Sequence, residues 1–205
     1  MQTVLSLVLG YLVGCINPAR LVGKLKNVNL KEAGTGNLGA TNTALVLGRK
    51  AGYVVLTFDI LKSYLSYKLA RVIFPQLVAA GIIACIGVIL GHCFPVFLHF
   101  QGGKGLASFG GLVLAHDPLQ FIILLTLGII MAFLLNYGVY LAVTAAALFP
   151  ILSFLRSGSP IVGSLTAIAS GIILWVHRGN LHRAITGEDP IHTRDGFKKI
   201  FGKNS

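Results

Sequence analysis

The chain has 205 residues, of which 55% are hydrophobic and only 11% are charged. Soluble domains carry about 25% charged residues, so this composition and a mean hydropathy of +0.80 exclude an ordinary soluble fold. A net charge of +11 suits a nucleic-acid-binding protein in principle. In so apolar a chain a lipid bilayer explains the charge better, and we expect no nucleic-acid partner.

Seven apolar runs rich in Leu, Ile, Val and Ala follow one another along the chain. A helix that crosses ~30 Å of hydrocarbon needs about 20 residues, and we therefore predict membrane-spanning helices at 2–22, 51–70, 76–98, 106–116, 119–137, 139–155 and 160–176. The fourth run is too short for an upright span. It is expected to be thinned or partly re-entrant, with its backbone covered by protein or water. The first run lacks a basic flank and a cleavage site, so we expect it to be retained.

Three polar islands, residues 23–50, 99–105 and 177–205, separate these runs and carry most of the cations. The turns on the opposite side carry only Arg71 and Arg156. Positive charge accumulates on the cytoplasmic side of membrane proteins, so the islands are expected in the cytoplasm and the amino terminus outside. Seven crossings satisfy this arrangement, and so do five if two later runs do not cross. We predict an all-α integral membrane protein that forms a single polytopic domain over residues 1–205.

Small residues indicate where helices approach closely. Gly10 and Gly14 in the first run, and Gly87 and Gly91 in the third, form small-xxx-small patterns that allow backbones to touch, within the chain or in a dimer. Pro95, near the end of the third run, is expected to kink or end that helix.

The first island contains a glycine-rich segment, GTGNLGATN at residues 34–42. It satisfies the G-x-G-x-x-G dinucleotide fingerprint but lacks the preceding strand and the crossover helix that the fingerprint needs. A glycine-rich turn can still direct several backbone N–H groups at one phosphate, and the segment adds the side-chain donors Thr35, Asn37, Thr41 and Asn42. The alternative is a flexible connector with an Asn-rich turn.

The second island contains a lone lysine among glycines, Gly102-Gly103-Lys104-Gly105. This pattern lets the backbone approach an anion closely while the ammonium group neutralises it. It is not a P-loop, because that pattern needs glycine where the chain has Leu98 and serine or threonine at position 105. The alternative is an interfacial anchor in which Lys104 binds lipid headgroups.

The third island opens with His177, Asn180 and Arg183, which share one face if the last helix continues past Trp175. An imidazole, an amide and a guanidinium at headgroup depth suit a phosphorylated substrate. The alternative is a basic tail that attracts anionic lipid. That second role is assigned to the distal cations Lys198, Lys199 and Lys203.

Other polar residues are fewer. Asp59 and Lys62 are three residues apart in the second run, where an ionisable residue is by default a functional candidate and a structural ion pair is equally economical. His92 is a candidate to cap or line the pocket of Lys104. None of the histidines starts a His-x-x-x-x-Asp pattern. The three cysteines lie in apolar runs and match no metal motif, so a structural role and no metal site are expected.

Together these segments resemble the acyl-phosphate:glycerol-3-phosphate acyltransferases of bacterial membranes, the PlsY family. The similarity covers essentially the whole chain and rests on three motifs in the same order and spacing: residues 34–42, residues 91–97 with 101–105, and residues 177–188. The resemblance implies a seven-span fold with the motifs at the cytoplasmic face of the bacterial inner (plasma) membrane. It implies acyl transfer from acyl phosphate to glycerol 3-phosphate, which gives lysophosphatidic acid and phosphate without coenzyme A or another cofactor, as the first step of phospholipid synthesis.

The resemblance also implies roles for individual residues. Lys104 becomes a ligand of phosphate and of the oxyanion, Thr35 and Asn37 become donors of a phosphate loop, and His177 and Asn180 surround the acceptor hydroxyl. Substrate binding or pocket organisation is assigned to Gly34, Gly36, Asn42, Arg49, Gly102, Gly103, Gly105, Arg178, Arg183 and Glu188.

The chain departs from the family pattern at three positions. It has Thr35 where the family usually has serine, Leu45 where it has arginine, and Val139 where it has serine. Leu45 removes a guanidinium that would bind phosphate bidentately, and Arg49, one turn further on, is a candidate substitute. These departures favour a second reading, a diverged paralogue that binds lipid or regulates the pathway without catalysis. A transporter is disfavoured, because the polar residues lie in loops on one side instead of at the midplane.

Overall fold

The computed structural model describes residues 1–189 and 192–201, and every regular element within those residues is a helix. The prediction of an all-α protein is confirmed for that part of the chain. Lys203 and the side chain of Lys199, which were assigned to lipid attraction, lie outside what is described. The α-helices are α1 Gln2–Gly14, α2 Pro18–Leu25, α3 Ala40–Leu47, α4 Arg49–Ile73, α5 Ala80–Cys93, α6 Leu106–His116, α7 Pro118–Leu134, α8 Val139–Ser157, α9 Pro160–Thr186 and α10 Thr193–Phe201.

Each of the seven predicted apolar runs contains a helix, namely α1 and α4 to α9. Four stretches of the described residues are long and apolar enough to cross a membrane: Gln2–Leu25, Ala80–Leu98, Val139–Ser157 and Pro160–Thr186. α6 and α7 are apolar but shorter, and α4 is 25 residues long but carries more charge. α5 ends at Cys93 and a 3₁₀ turn follows Pro95, which confirms the predicted end of that helix.

The first apolar run forms two helices instead of one, with a break between α1 and α2. Pro18 has no backbone N–H, so the carbonyl of Gly14, four residues earlier, loses its helical partner. Asn17 caps α2, because its Oδ1 accepts a hydrogen bond from the N–H of Arg20 at 2.9 Å. That bond withdraws the same N–H from the carbonyl of Ile16. The break therefore leaves the carbonyls of Gly14 and Ile16 in need of other donors.

α1 and α5 run parallel and their backbones touch through four glycines. A Cβ atom on Gly10, Gly14, Gly87 or Gly91 would collide with a backbone carbonyl of the partner helix, namely that of Ala84, Val88, Leu7 and Tyr11 respectively. Only glycine allows this approach, which lets the helices gain dispersion contacts that lipid cannot supply. Both small-xxx-small patterns are therefore used within the chain.

All three polar islands lie at one end of the helical bundle. Lys31 Nζ is 2.5 Å from Gln101 Oε1, which joins the first island to the second, and Lys104 contacts Asn180 in the third. At the other end, Ser6 Oγ donates to the first carbonyl of α5 at 2.9 Å. The start of α1 is therefore at the end of the bundle away from the islands.

α6 is short and is covered by its neighbours. Its 11 residues span about 16 Å, roughly half of the hydrocarbon thickness. A Cβ on Gly111 would collide with the carbonyl of Ile60 in α4, and Phe109 and Leu112 are 1% and 0% exposed. This burial agrees with the expectation that protein covers the short element.

Gly87→Ala is expected to lower the unfolding temperature, because the added methyl group would force α1 and α5 apart. Overpacking of this kind typically costs about 1–3 kcal/mol. Unfolding can be followed through the reaction of a fluorogenic maleimide with the thiols of Cys15, Cys85 and Cys93, which are all buried in the folded chain.

Gly171→Ala in α9 is the matched control, because a Cβ there meets nothing within 4 Å. It should leave the unfolding temperature unchanged or raise it, since alanine is the better helix former. An unfolding temperature for Gly87→Ala equal to that of the control would contradict the close contact of α1 and α5.

Candidate active site

The second island is a tightly packed loop that begins on the last turn of α5. The N–H of Gly102 donates to the carbonyl of Cys93 at 3.0 Å, and the N–H of Gly103 donates to the carbonyl of His92 at 3.1 Å. A Cβ on Gly102 would collide with the His92 carbonyl, and one on Gly103 would meet the Leu38 carbonyl of the first island. The loop is therefore held between α5 and the first island, and both positions require glycine.

Lys104 extends from this loop to the last turns of α9. Its Nζ donates to Oδ1 of Asn180 at 2.5 Å, and the same oxygen accepts a hydrogen bond from Arg183 Nη2 at 3.1 Å. Burial lowers the pKa of Lys104 below its usual value, the positive charge of Arg183 lowers it further, and the negative charge of Asp189 opposes both effects. Two cations thus share one neutral amide oxygen. A bound anion would relieve their mutual repulsion.

The face of α9 predicted from the sequence is present. The helix continues past Trp175, so His177, Asn180 and Arg183 lie along one side. His177 is 6% exposed, and its Nδ1 is 2.9 Å from the carbonyl of Ile173. A carbonyl can only accept, so in the neutral ring Nδ1 carries the proton and Nε2 keeps the lone pair. His177 is thereby prepared to accept a hydrogen bond from a hydroxyl group.

The first island folds around the side chain of Asn42, which is 0% exposed. Its Oδ1 accepts from the N–H of Thr35 at 2.7 Å. Its Nδ2 donates to the carbonyls of Leu30 at 2.9 Å and Ala33 at 3.1 Å. All of these partners are backbone groups of the loop, so the amide of Asn42 fixes the loop's shape from beneath.

Two glycines of this loop adopt the left-handed backbone conformation. Gly34 and Gly36 have φ values of +61° and +70°, a region that favours glycine. Thr35, between them, is exposed, and its Oγ1 accepts from the N–H of Asn37 at 3.4 Å. Asn37 reaches the space between the islands.

A cavity of about 360 Å³ lies between the three islands. Its size falls within the usual range of small-molecule sites, about 300–1,000 Å³. It brings together residues that are far apart in the sequence, and its lining includes Lys31, Gly36, Asn37, Phe94, Gln101, Gly102, Gly103, Lys104, Trp175 and Arg178. Such a mixture of amide side chains, cations and apolar walls suits a molecule with an anionic head and an apolar tail.

Some of the predicted residues lie apart from this lining. Arg49 is the exposed first residue of α4, and Glu188 is exposed just beyond the end of α9, where its N–H donates to the carbonyl of Arg183 at 2.8 Å. Gly105 has φ +75° and directly precedes α6 as its N-cap. Within the described residues, the cavity lining includes neither Arg49 nor Glu188. It also lacks five predicted residues that lie closer to it in the fold, namely Thr35, Asn42, His177, Asn180 and Arg183.

The structure adds residues that were not assigned a role from the sequence. Lys31 and Gln101 contact each other across the cavity's edge. The guanidinium group of Arg178 stacks on Trp175, 3.8 Å from the ring centroid. Nη1 of Arg178 also donates a hydrogen bond to the Trp175 carbonyl at 2.7 Å. The position of Lys31, three residues before the glycine-rich segment, is the signal that could have identified it.

The fold and this site define a class of protein, a helical membrane protein with a cavity lined in part by cations at one end of its bundle. Comparison with known proteins identifies the family. The family model for glycerol-3-phosphate acyltransferase matches residues 4–187. The chain belongs to this family, so the resemblance and the predicted enzyme class are confirmed.

Individual relatives agree along nearly the full length. The glycerol-3-phosphate acyltransferase of Thermoanaerobacter sp. (strain X514) is 34% identical over 190 residues, which are 92% of this chain and 95% of the relative. That of Geobacillus kaustophilus (strain HTA426) is 37% identical over 196 residues, with 92% and 95% covered. The crystal structure of PlsY (YgiH), an integral membrane glycerol 3-phosphate acyltransferase in its glycerol 3-phosphate form, superposes with a TM-score of 0.83 at 30% identity, over 92% of this chain and 94% of that one. The chain is accordingly a multi-pass membrane protein.

The pKa of Lys104 gives a prediction about pH. The ammonium form binds anions, so the affinity for inorganic phosphate should fall as the pH rises through the lowered pKa of Lys104. Arg183→Gln removes a positive charge that lowers this pKa, so the loss of binding should move to higher pH. Asp189→Asn removes a charge that raises it and should move the loss to lower pH. Calorimetric titration with phosphate between about pH 7 and pH 11 would measure both shifts.

The position of the transition, rather than the affinity at any one pH, decides this test, because Arg183 can also contribute directly to binding. Identical transitions in the parent and both variants would show that Lys104 does not control the binding of phosphate.

Proposed function

We propose that this chain transfers a fatty acyl group from acyl phosphate to the sn-1 hydroxyl of glycerol 3-phosphate, which gives lysophosphatidic acid and phosphate. The observation that carries this proposal is the contact of Lys104 with Asn180 at the edge of the cavity. It brings a cation of the glycine loop to the polar face of α9, where an acyl phosphate and a phosphorylated alcohol can meet. The reaction would be the first step of phospholipid synthesis.

The chemistry needs little beyond positioning and charge. The acceptor hydroxyl attacks the carbonyl carbon of a mixed anhydride, the bond from that carbon to the phosphate oxygen breaks, and the departing phosphate takes up the hydroxyl proton. Phosphate is a good leaving group, so holding the reactants together and stabilising the oxyanion can account for most of the acceleration. No coenzyme A or other cofactor is required.

The residues divide this work. Lys104 neutralises charge on the phosphate and on the oxyanion. His177 accepts a hydrogen bond from the acceptor hydroxyl through Nε2, and the amide of Asn180 orients Lys104. The first island supplies the hydroxyl of Thr35 and the amide of Asn37 as phosphate donors, while Asn42 maintains the loop's shape. Arg178 and Arg183 provide further positive charge, and Arg49 and Glu188 act from the periphery.

The ligands of related structures support the proposed reaction. The similar PlsY structures are a glycerol 3-phosphate form and a lysophosphatidic acid form, and the second shares 28% identity and a TM-score of 0.83 with this chain. An acceptor and a product of the proposed reaction therefore bind to proteins of the same fold. The departures at Leu45 and Val139 are what favour the alternative of a diverged, non-catalytic lipid-binding paralogue.

We further infer seven crossings, made by α1 with α2, and by α4 to α9, with the amino terminus outside. The basic islands would then face the cytoplasm of a bacterial cell across its inner membrane. Their common position at one end of the bundle supports this orientation, because a cytoplasmic site has direct access to soluble glycerol 3-phosphate. Acyl phosphate and the surrounding phospholipid would approach from the bilayer.

Purified protein in detergent or nanodiscs should form lysophosphatidic acid from palmitoyl phosphate and glycerol 3-phosphate. Lys104→Ala should reduce kcat/KM roughly 10²- to 10³-fold, the effect of removing one preorganised electrostatic group. Lys104→Arg should recover only part of this loss, because guanidinium keeps the charge but changes the bulk and donor geometry. Product can be measured by mass spectrometry or with radiolabelled glycerol 3-phosphate.

Lys198→Ala is a matched control that removes an exposed cation from α10 at the same end of the bundle. It should leave kcat/KM unchanged. If Lys104→Ala were as active as the parent, Lys104 would be reduced to a headgroup anchor. An inactive parent would favour the non-catalytic paralogue.

The orientation can be tested with cysteines introduced at exposed positions. Glu32→Cys, Gln101→Cys and Ile185→Cys should be labelled by a membrane-impermeant maleimide only after the cytoplasmic face is opened, and Val78→Cys should be labelled in intact cells. All four parent residues are exposed, whereas the native cysteines are buried and give little background. Labelling of any of the first three in intact cells would separate the islands.

A further inference from the structure

A cluster of ionisable side chains lies beneath the cavity, inside the apolar bundle. Asp59, Lys62 and His92 are 1%, 6% and 3% exposed. Lys62 Nζ is 2.7 Å from Asp59 Oδ1, and His92 Nδ1 is 3.2 Å from the same oxygen and 3.0 Å from Nζ. Ionisable groups in a membrane protein are costly, so three that contact each other require an explanation.

Lys62 joins this cluster to the break between α1 and α2. Its ammonium group donates to the carbonyl of Ile16 at 3.0 Å and to that of Gly14 at 3.4 Å. These are the two carbonyls that Pro18 and the Asn17 cap deprive of helical partners. Asn17 also donates from Nδ2 to the carbonyl of Leu38 at 3.4 Å, which connects the break to the first island.

His92 joins the cluster to the loop that carries Lys104. Its Nδ1 faces Asp59 and Lys62, while its Nε2 lies against Gly103, so closely that a Cβ on that glycine would collide with it. The carbonyl of His92 also accepts the N–H of Gly103 at 3.1 Å. The ring is thus fixed on one edge by the ion pair and supports the glycine loop with the other.

We propose that Asp59, Lys62 and His92 are positioning residues for the reaction, and that they fix the height and direction of the Lys104 loop relative to the first island. The inference rests on the proposed function. The ion pair holds the imidazole ring, the ring supports Gly103, and the Leu38 carbonyl meets the same glycine from the other side. A displacement of about 1 Å at a reacting group can cost 10²-fold in rate, so a buried support of this kind contributes to catalysis without touching the substrate.

The competing explanation is an ion pair that only stabilises the bundle. A pair with that role would act on folding and would leave the geometry of Lys104 unchanged in any variant that still folds. Two His92 variants separate these explanations. His92→Asn retains a polar atom near the position of Nδ1 but removes the part of the ring that supports Gly103. His92→Phe retains a ring against Gly103 but loses the contact with Asp59.

Both variants should lower kcat/KM for glycerol 3-phosphate by about 10- to 100-fold, and both should weaken the binding of inorganic phosphate to the resting protein. The decisive measurement is a double-mutant cycle with Lys104→Ala. If His92 acts through Lys104, adding His92→Asn to Lys104→Ala should cause little further loss of kcat/KM or phosphate affinity. If the cluster is only structural, the two losses should multiply, or the His92 variants should retain parental kcat/KM, and either result would overturn the proposal.

Asp117→Asn provides the control. Asp117 pairs with Arg156 and caps α7 at the end of the bundle away from the islands. Its removal should lower the unfolding temperature and leave kcat/KM unchanged, which shows what a purely structural loss looks like. If a His92 variant fails to fold, Asp59→Asn can take its place in the double-mutant cycle with Lys104→Ala.

Phosphate binding separates this inference from the proposed function. A parent protein that forms no lysophosphatidic acid would contradict the proposed function, yet the cycle could still be completed with phosphate affinities. Coupling between His92 and Lys104 in phosphate binding would then support the positioning role on its own, and independent effects would refute it.

Discussion

The contact between α1 and α5 determines where the parts of the site can lie. Four glycines let two parallel backbones touch, and lipid offers no comparable packing to compete with them. The contact fixes the end of α1 beside the end of α5, so the broken segment after Gly14 lies beside the turn that carries His92. Both the first island and the glycine loop start at this junction, so the contact of α1 with α5 constrains their mutual position.

Polar satisfaction is the second constraint, and it explains why charged residues occur inside the bundle. Pro18 and Asn17 bend the chain into the first island at the cost of two unpaired carbonyls, and Lys62 supplies donors to both. Asp59 compensates the ammonium group. At the islands the positive charge is not compensated in the same way, because Lys104 and Arg183 both donate to the neutral amide of Asn180. The interior is therefore internally paired, while the cavity retains positive charge for a ligand.

The sequence predicted the helices well because lipid imposes a strong pattern on them. α6 was located to the residue, and the single face of His177, Asn180 and Arg183 followed from helical spacing alone. The break at Pro18 was missed, since the apolar pattern continues through it and hides the effect of the lost N–H group. Dimerisation and internal packing through Gly10 and Gly87 could not be separated, because small residues allow both and only the partner's position decides.

The site was predicted by type more than by geometry. The motifs indicated which residues gather, but Asn42 serves the backbone of its own loop, and Lys31 enters the cavity without a motif of its own. The connection of Asp59 and Lys62 to His92 depends on how α4 crosses α5. No periodicity within either helix reports such a crossing.

The shortness of α6 has a consequence for the lipid around the protein. Its 11 residues reach through only about half of a typical hydrocarbon layer, so the turn that carries Asp117, which pairs with Arg156 at the end of α8, lies deep unless the bilayer thins around it. Hydrophobic mismatch of this kind costs fractions of a kcal/mol per ångström. Because α6 begins at Leu106, two residues after Lys104, a change in bilayer thickness would act on the loop that holds this lysine. The product of the proposed reaction is a precursor of membrane lipid, so the lipid that a cell makes would act back on the protein through the thickness of its membrane.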